Sequence, residues 1–183
     1  MRTRLYLGLA ILPALLAASA APASFEPGSK VWVSGTSTVR AYRCETTRAD
    51  GTAQLSGTDL ASLRVSGASV TIPVSTLDCA NGTMNGHMRT ALKMAESPNI
   101  RFRASNVEVN GTQAKMTGEL TIAGSTQPVS IDATVTSESG QLRVRGSKQL
   151  DMTTYGVRPP SLMMGTMKVR PGVTIGFDVL LKP

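Results

Sequence analysis

Aromatic residues are scarce in this 183-residue chain, with three Phe, three Tyr and one Trp, about 4% of the total. Blocks of like charge are absent too. The basic residues stand as singles (Arg40, Arg43, Arg48, Arg64, Arg101, Arg103, Arg143 and Arg145), so the formal charge of +7 reads as a solvated basic face. Neither composition nor spacing supports a nucleic-acid platform of interleaved arginines and rings, and no nucleic-acid partner is expected. Histidine occurs once, at His87, and the twelve acids form no paired-carboxylate motif. A Gly-x-Ser-x-Gly elbow is missing, as is a Cys-x-x-Cys pair. With one histidine most triads cannot be built, so the chain reads as non-enzymatic, with no catalytic residues, no cofactor and no metal site.

Long hydrophobic runs are confined to the beginning. Arg2 and Arg4 precede the apolar stretch Leu5–Ala18, followed by small residues at Ala18-Ser19-Ala20 and Ala21-Pro22-Ala23. This is a signal-peptide pattern over residues 1–23, cut after Ala20 or Ala23, with the domain in 24–183. The stretch is short for a bilayer span, and no second run of about 18 apolar residues follows. The mature chain is therefore expected to have no integral membrane segment and to reside in the periplasm or outside the cell. Removing Arg2 and Arg4 reduces the formal charge from +7 to +5.

Cysteine is nearly absent, and the two that occur, Cys44 and Cys79, are expected to form a disulfide in an oxidising compartment. On the chain-entropy account such a bridge is worth roughly 3–4 kcal/mol.

What the chain has in quantity is alternation with period two. Val70, Ile72 and Val74 share one side of a stretch beginning at Ser69; Met116, Gly118, Leu120 and Ile122 share another; Val129, Ile131, Ala133 and Val135 a third. Further strands are expected at Lys30–Gly35, Thr38–Thr46, Ala53–Gly57, Leu63–Val65, Ile100–Val109, Gln141–Gly146 and Val173–Leu181. Turns at Asn110-Gly111, Gly124-Ser125 and Ser139-Gly140 separate several of them. One segment breaks the period: Met84, Met88, Ala91, Leu92 and Ala95 recur at helical spacing, predicting a helix over 83–95 that covers an open end or edge of the sheet. The fold expected is all-β, a single antiparallel barrel of about eight strands with one short helical insertion.

Two stretches resemble the YceI-like family of periplasmic, lipocalin-like, lipid-binding barrels. Gly86-His87-Met88-Arg89 with Pro98-Asn99-Ile100-Arg101-Phe102 is similar to the family's helical insertion and the strand after it. Gly118-Glu119-Leu120-Thr121-Ile122-Ala123-Gly124-Ser125-Thr126-Gln127-Pro128-Val129 is similar to its strand-turn-strand signature. Asp151–Gly156 and Val173–Leu181 resemble its last two strands more loosely, and the likeness runs from about Val31 onward. Met84 and Asn85 depart from the Arg-Asp pair usual before the helical histidine, and Ala123 stands where the turn often has His. The resemblance implies a barrel interior holding the hydrocarbon tail of a polyisoprenoid, quinone-like or fatty amide ligand.

Strand phase and the helix stripe give a ligand-lining set: Trp32, Ile72, Leu77, His87, Met88, Leu92, Phe102, Leu120, Ile122, Met163 and Met164. His87 is read either as a contact to a ligand head group at the mouth or as a histidine that satisfies a nearby backbone group. Trp32 and Tyr42 either close one end of the barrel or pack in its core. The methionines fill the core, line a ligand or, with His87, hold Cu(I). The partner expected is an apolar, lipid-like small molecule; pairing of two barrels into a homodimer stays open. The alternative function is a filled barrel acting in envelope structure, stress tolerance or adhesion, and an internal volume of several hundred Å3 separates the two.

Overall fold

The computed structural model describes residues 21–57, 59–162 and 166–182. Among the described residues eleven strands form in chain order: β1 Ala21–Phe25, β2 Lys30–Ser37, β3 Ala41–Thr46, β4 Asp50–Ser56, β5 Arg64–Pro73, β6 Asn99–Asn110, β7 Gln113–Ile122, β8 Ser125–Glu138, β9 Gln141–Asp151, β10 Ser161–Leu162 and β11 Met167–Lys182. The helix α1 spans Gly82–Ala91, and short 3-10 turns occupy Val74–Thr76 and Met152–Tyr155.

Antiparallel pairing runs from β4 through β5, β6, β7, β8 and β9 to β11. The ring then closes through β1, which pairs with β11 at Phe25↔Leu181 and with β4 from Ala21↔Leu55 to Ser24↔Thr52. Eight strands thus make a closed barrel, and closure leaves no free edge at this end. Beyond β1, the edge of β11 is taken up by β2, from Asp178↔Lys30 to Val169↔Ser37, and β3 pairs with β2 in turn. The β2–β3 hairpin therefore extends the wall at the opposite end. Its outer edge is met by the segment that leads into α1, through the reciprocal backbone bonds Glu45 N to Asp78 O and Asp78 N to Glu45 O, both 2.9 Å.

Alternation fixes the faces. In β8 the buried residues are Val129, Ile131, Ala133 and Val135, and in β4 Gly51, Ala53 and Leu55, with polar neighbours turned outward. One closed-end cluster gathers Ala23, Ala53, Leu55, Leu63, Ala114, Ala133, Val135 and Leu181. A second packs Phe102, Leu120, Ala123, Val129 and Ile131 under Tyr155 and Val157. On the outer face Arg143 forks onto Asp178, Nε to Oδ1 and Nη2 to Oδ2 at 2.8 Å each, and Arg145 Nε adds a bond of 3.1 Å. Those arginine bonds, Arg143's first, hold the Asp178 carboxyl below the usual carboxylate range and tie β9 to β11.

Ala21–Ala23 form the start of β1, and Ala23 is 1% exposed. Three expectations are corrected. Thr38–Arg40 turn the β2–β3 hairpin instead of extending β3, because Ser37 Oγ accepts from Val39 N and Arg40 N at 3.2 and 3.1 Å. Asp151–Gly156 are not a strand: the Asp151 carboxylate accepts from Thr153 N at 2.8 Å and starts a 3-10 turn, which Gly156 closes at φ 68°. The helix ends at Ala91, not 95, since Lys93 adopts φ 52° while Lys93 N bonds to Thr90 O and Met94 N to Arg89 O, a Schellman cap.

Gly118, the first residue of the strand-turn-strand stretch, has a steric reason to be glycine. It lies where the β6–β7 register shifts between Ala104 and Asn106. A Cβ there would fall on the Arg103 carbonyl oxygen and lie 2.8 Å from Ala104 Cα, backbone atoms that cannot swing aside. Gly118→Ala is expected to cost about 2–3 kcal/mol, measured by urea denaturation.

Candidate functional site

Between the two clusters the interior is open. A cavity of about 550 Å3 is lined by Val31 and Val33 of β2, Val70 and Ile72 of β5, Ile100 and Phe102 of β6, Leu120 and Ile122 of β7, and the inward row Val173, Ile175, Phe177, Val179 and Leu181 of β11. Most of these side chains are only half-buried despite lying within the barrel, because they border space. The lining contains no carboxylate among the described residues, and Arg40 is its one formally charged member.

The mouth is covered by α1. Asn81 Oδ1 accepts from Met84 N at 2.9 Å and caps the helix. Asn85 then anchors it twice, accepting from Cys79 N at 2.8 Å and donating Nδ2 to Asp78 Oδ1 at 2.9 Å. The Asn85 bond, Ala80 N–H and the Arg89 charge hold the Asp78 carboxyl below its usual range. The Cys44–Cys79 disulfide joins this segment to β3, and Arg89 Nη2 donates to Ser75 O at 3.1 Å. No side chain of α1 is fully buried; Thr83, Met84, His87 and Met88 face the cavity, while Ala91 and the following Leu92 border it and pack on the second cluster. The helix is thus held by capping and anchoring bonds at its N-terminal end and by Ala91 and Leu92 at the other, the arrangement of a cover with little packing beneath its middle.

The predicted lining residues Ile72, Leu77, His87, Met88, Leu92, Phe102, Leu120 and Ile122 all border this cavity. Trp32 touches it, but the ring lies across Gly176, on the face of β11 opposite Ile175 and Phe177. The Arg43 guanidinium stacks on it 4.2 Å from the ring centroid. Trp32 is thus an outer-wall residue more than a plug. Met163 and Met164 lie outside the described residues. Tyr42 lines the cavity and Tyr155 its second cluster, and burial pushes both phenols up. The row on β11, Val31, Val33 and Arg40 were missed; the alternation of Val173–Leu181 carried the signal for the first of these. Among the described residues no three or more His, Cys, Asp or Glu converge as a metal site.

Residues 25–181 match the YceI-like domain. The chain belongs to the YceI-like family. A UPF0312 protein of Pseudomonas aeruginosa is 30% identical over 97 residues, which are 49% of this chain and 51% of that protein; the chain thus matches about half the length of this relative. Protein YceI of Escherichia coli O157:H7 is 33% identical over 66 residues, 35% of each. Among solved structures, BcnA of Burkholderia cenocepacia superposes with a TM-score of 0.71 at 19% identity, covering 83% of this chain and 95% of BcnA. A polyisoprenoid binding domain from Saccharophagus degradans does so at 0.67 and 12%, covering 89% and 98%. At these identities the likeness to this YceI-like protein is one of fold.

Proposed function

We propose that this YceI-like protein is exported and binds one long-chain apolar molecule, a polyisoprenoid, quinone-like lipid or fatty amide, in the barrel without transforming it. The observation that carries this reading is the 550 Å3 cavity with its aliphatic, aromatic and thioether wall, within the range of about 300–1,000 Å3 common for ligand pockets. Each methylene buried there contributes about 0.8 kcal/mol, so a tail of some ten carbons outweighs a typical ordering cost. The open interior favours a carrier over a filled barrel that works through its surface. The Saccharophagus domain, named for polyisoprenoid binding, supports the ligand class.

Ile72, Leu77, His87, Met88, Leu92, Phe102, Leu120 and Ile122 are the proposed ligand contacts, with Trp32 at the wall and α1 as the cover. Export through the N-terminal signal, with removal after Ala20, keeps β1 intact. Removal after Ala23 would delete the pairs Ala21↔Leu55 to Ala23↔Ala53 and leave Ser24↔Thr52 alone between β1 and β4. The Cys44–Cys79 disulfide is consistent with the oxidising periplasm. Titration with geranylgeraniol, decylubiquinone and oleamide tests the reading: saturable one-to-one binding at micromolar affinity or tighter is expected for at least one, and no saturable binding of any contradicts it.

A further inference from the structure

The mouth of the cavity is framed by three stretches of chain. They are the β2–β3 hairpin with Ser37 and Arg40, the helix segment with Asn81, Thr83 and His87, and the passage from Tyr155 into β11 with Val157, Pro160, Met167 and Val169. These come together in space: Thr38 N bonds to Lys168 O at 2.9 Å, Val169 N to Pro160 O at 3.0 Å, and Cys79 is bridged to Cys44. Their sequences share an omission. Residues 31–44, 79–95 and 155–172 contain no Asp or Glu, although the chain has twelve acids. They do contain Arg40, Arg43, Arg89, Lys93, Arg158, Lys168 and Arg170.

Arg40 belongs to this frame, on the β2–β3 hairpin. Its backbone is fixed by the hairpin turn, with Ser37 N donating to Arg40 O at 2.8 Å. Its guanidinium has no ion pair or side-chain hydrogen bond with another described residue, and it is the one charge in the cavity lining. A planar fork at the rim of an apolar tunnel, with no carboxylate to occupy it, suits an oxyanion carried on a hydrocarbon tail.

Building on the carrier reading, we propose that the barrel selects single-chain amphiphiles with an anionic head, a carboxylate or a phosphate monoester, and that Arg40 contacts that head. A neutral alcohol or quinone head gains only an ordinary hydrogen bond at the same place.

The test compares matched pairs in the full mature protein: oleate against oleyl alcohol, and geranylgeranyl phosphate against geranylgeraniol. At 50 mM salt at least one anion is expected to bind about tenfold tighter than its alcohol, the low end for a charge-assisted contact at an exposed rim. The ratio shrinks at 0.5 M salt, where exposed charges are screened. Arg40→Gln brings the ratio towards one. Lys115→Gln, which removes the same charge from an exposed β7 position, keeps it. Preference for oleate alone or for the phosphate alone supports the proposal and names the head group. Equal affinity within both pairs, or a preference that survives Arg40→Gln, overturns it while the carrier reading stands. Failure of all four compounds to bind removes the carrier reading itself.

Discussion

Replacing Val33 and Ile175 together by Phe is expected to lower affinity for a long-chain ligand at least about 100-fold while the barrel stays folded. The two residues are paired across β2 and β11, both line the cavity, and both are only half-buried. Their side chains meet open space, so two added rings enter the tunnel and occupy the path of a hydrocarbon tail. Displacing even three or four methylenes from the interior removes about 2.5–3 kcal/mol of binding energy, which is the factor of 100. In a solid core the same enlargements would cost about 1–3 kcal/mol each in stability. Here the melting temperature should fall by only a few degrees. The check is geranylgeraniol titration beside a thermal melt; unchanged affinity, or collapse of the fold, would show that this space is not where the ligand lies.

Removing the disulfide with Cys44→Ser and Cys79→Ser should produce a large loss of stability, although Cys44 itself borders the cavity. The bridge closes a loop with a sequence separation of 35, worth about 4 kcal/mol on the chain-entropy account. For a domain of this size that is a drop of roughly 10–15 °C in Tm. Its location adds a second effect. Cys79 sits at the root of α1, and with the bridge gone the helix is held at that end by Asn85, Asp78 and the Glu45–Asp78 backbone pair. Ligand release should therefore quicken more than the stability loss alone predicts. Melts with and without reductant, paired with stopped-flow release, measure both; a Tm change below 3 °C would contradict the prediction.

The strand pattern was legible because the barrel buries one face of each strand, which forces period two on β5, β7 and β8. Where that constraint relaxes the reading slipped. Val31-Trp32-Val33 is apolar at three successive positions, so no alternation marks which side faces inward, and Val31 and Val33 were missed. Trp32 can lie outside because Gly176 leaves room for the ring and Arg43 covers it. The Ala-Pro-Ala-Ser run of β1 has no contrast between its faces and directly follows an apolar leader-like stretch, so no strand was expected there. The start of α1 was read within one residue, at 83 against Gly82, whereas its end depends on Lys93 adopting a left-handed conformation that sequence seldom announces. The acid-free mouth could not be seen along the chain, since its three segments lie up to about 130 residues apart, as the Lys168 N to Thr38 Oγ1 bond shows.

The central claim is that the barrel encloses room for a hydrocarbon chain and uses it. Organic extraction of the protein purified from its native host, followed by mass spectrometry, tests this most directly. The account predicts a single class of long-chain compound at close to one equivalent per chain. Extracts free of any hydrophobic compound, from protein that also fails to take up added prenyl lipids, would contradict it.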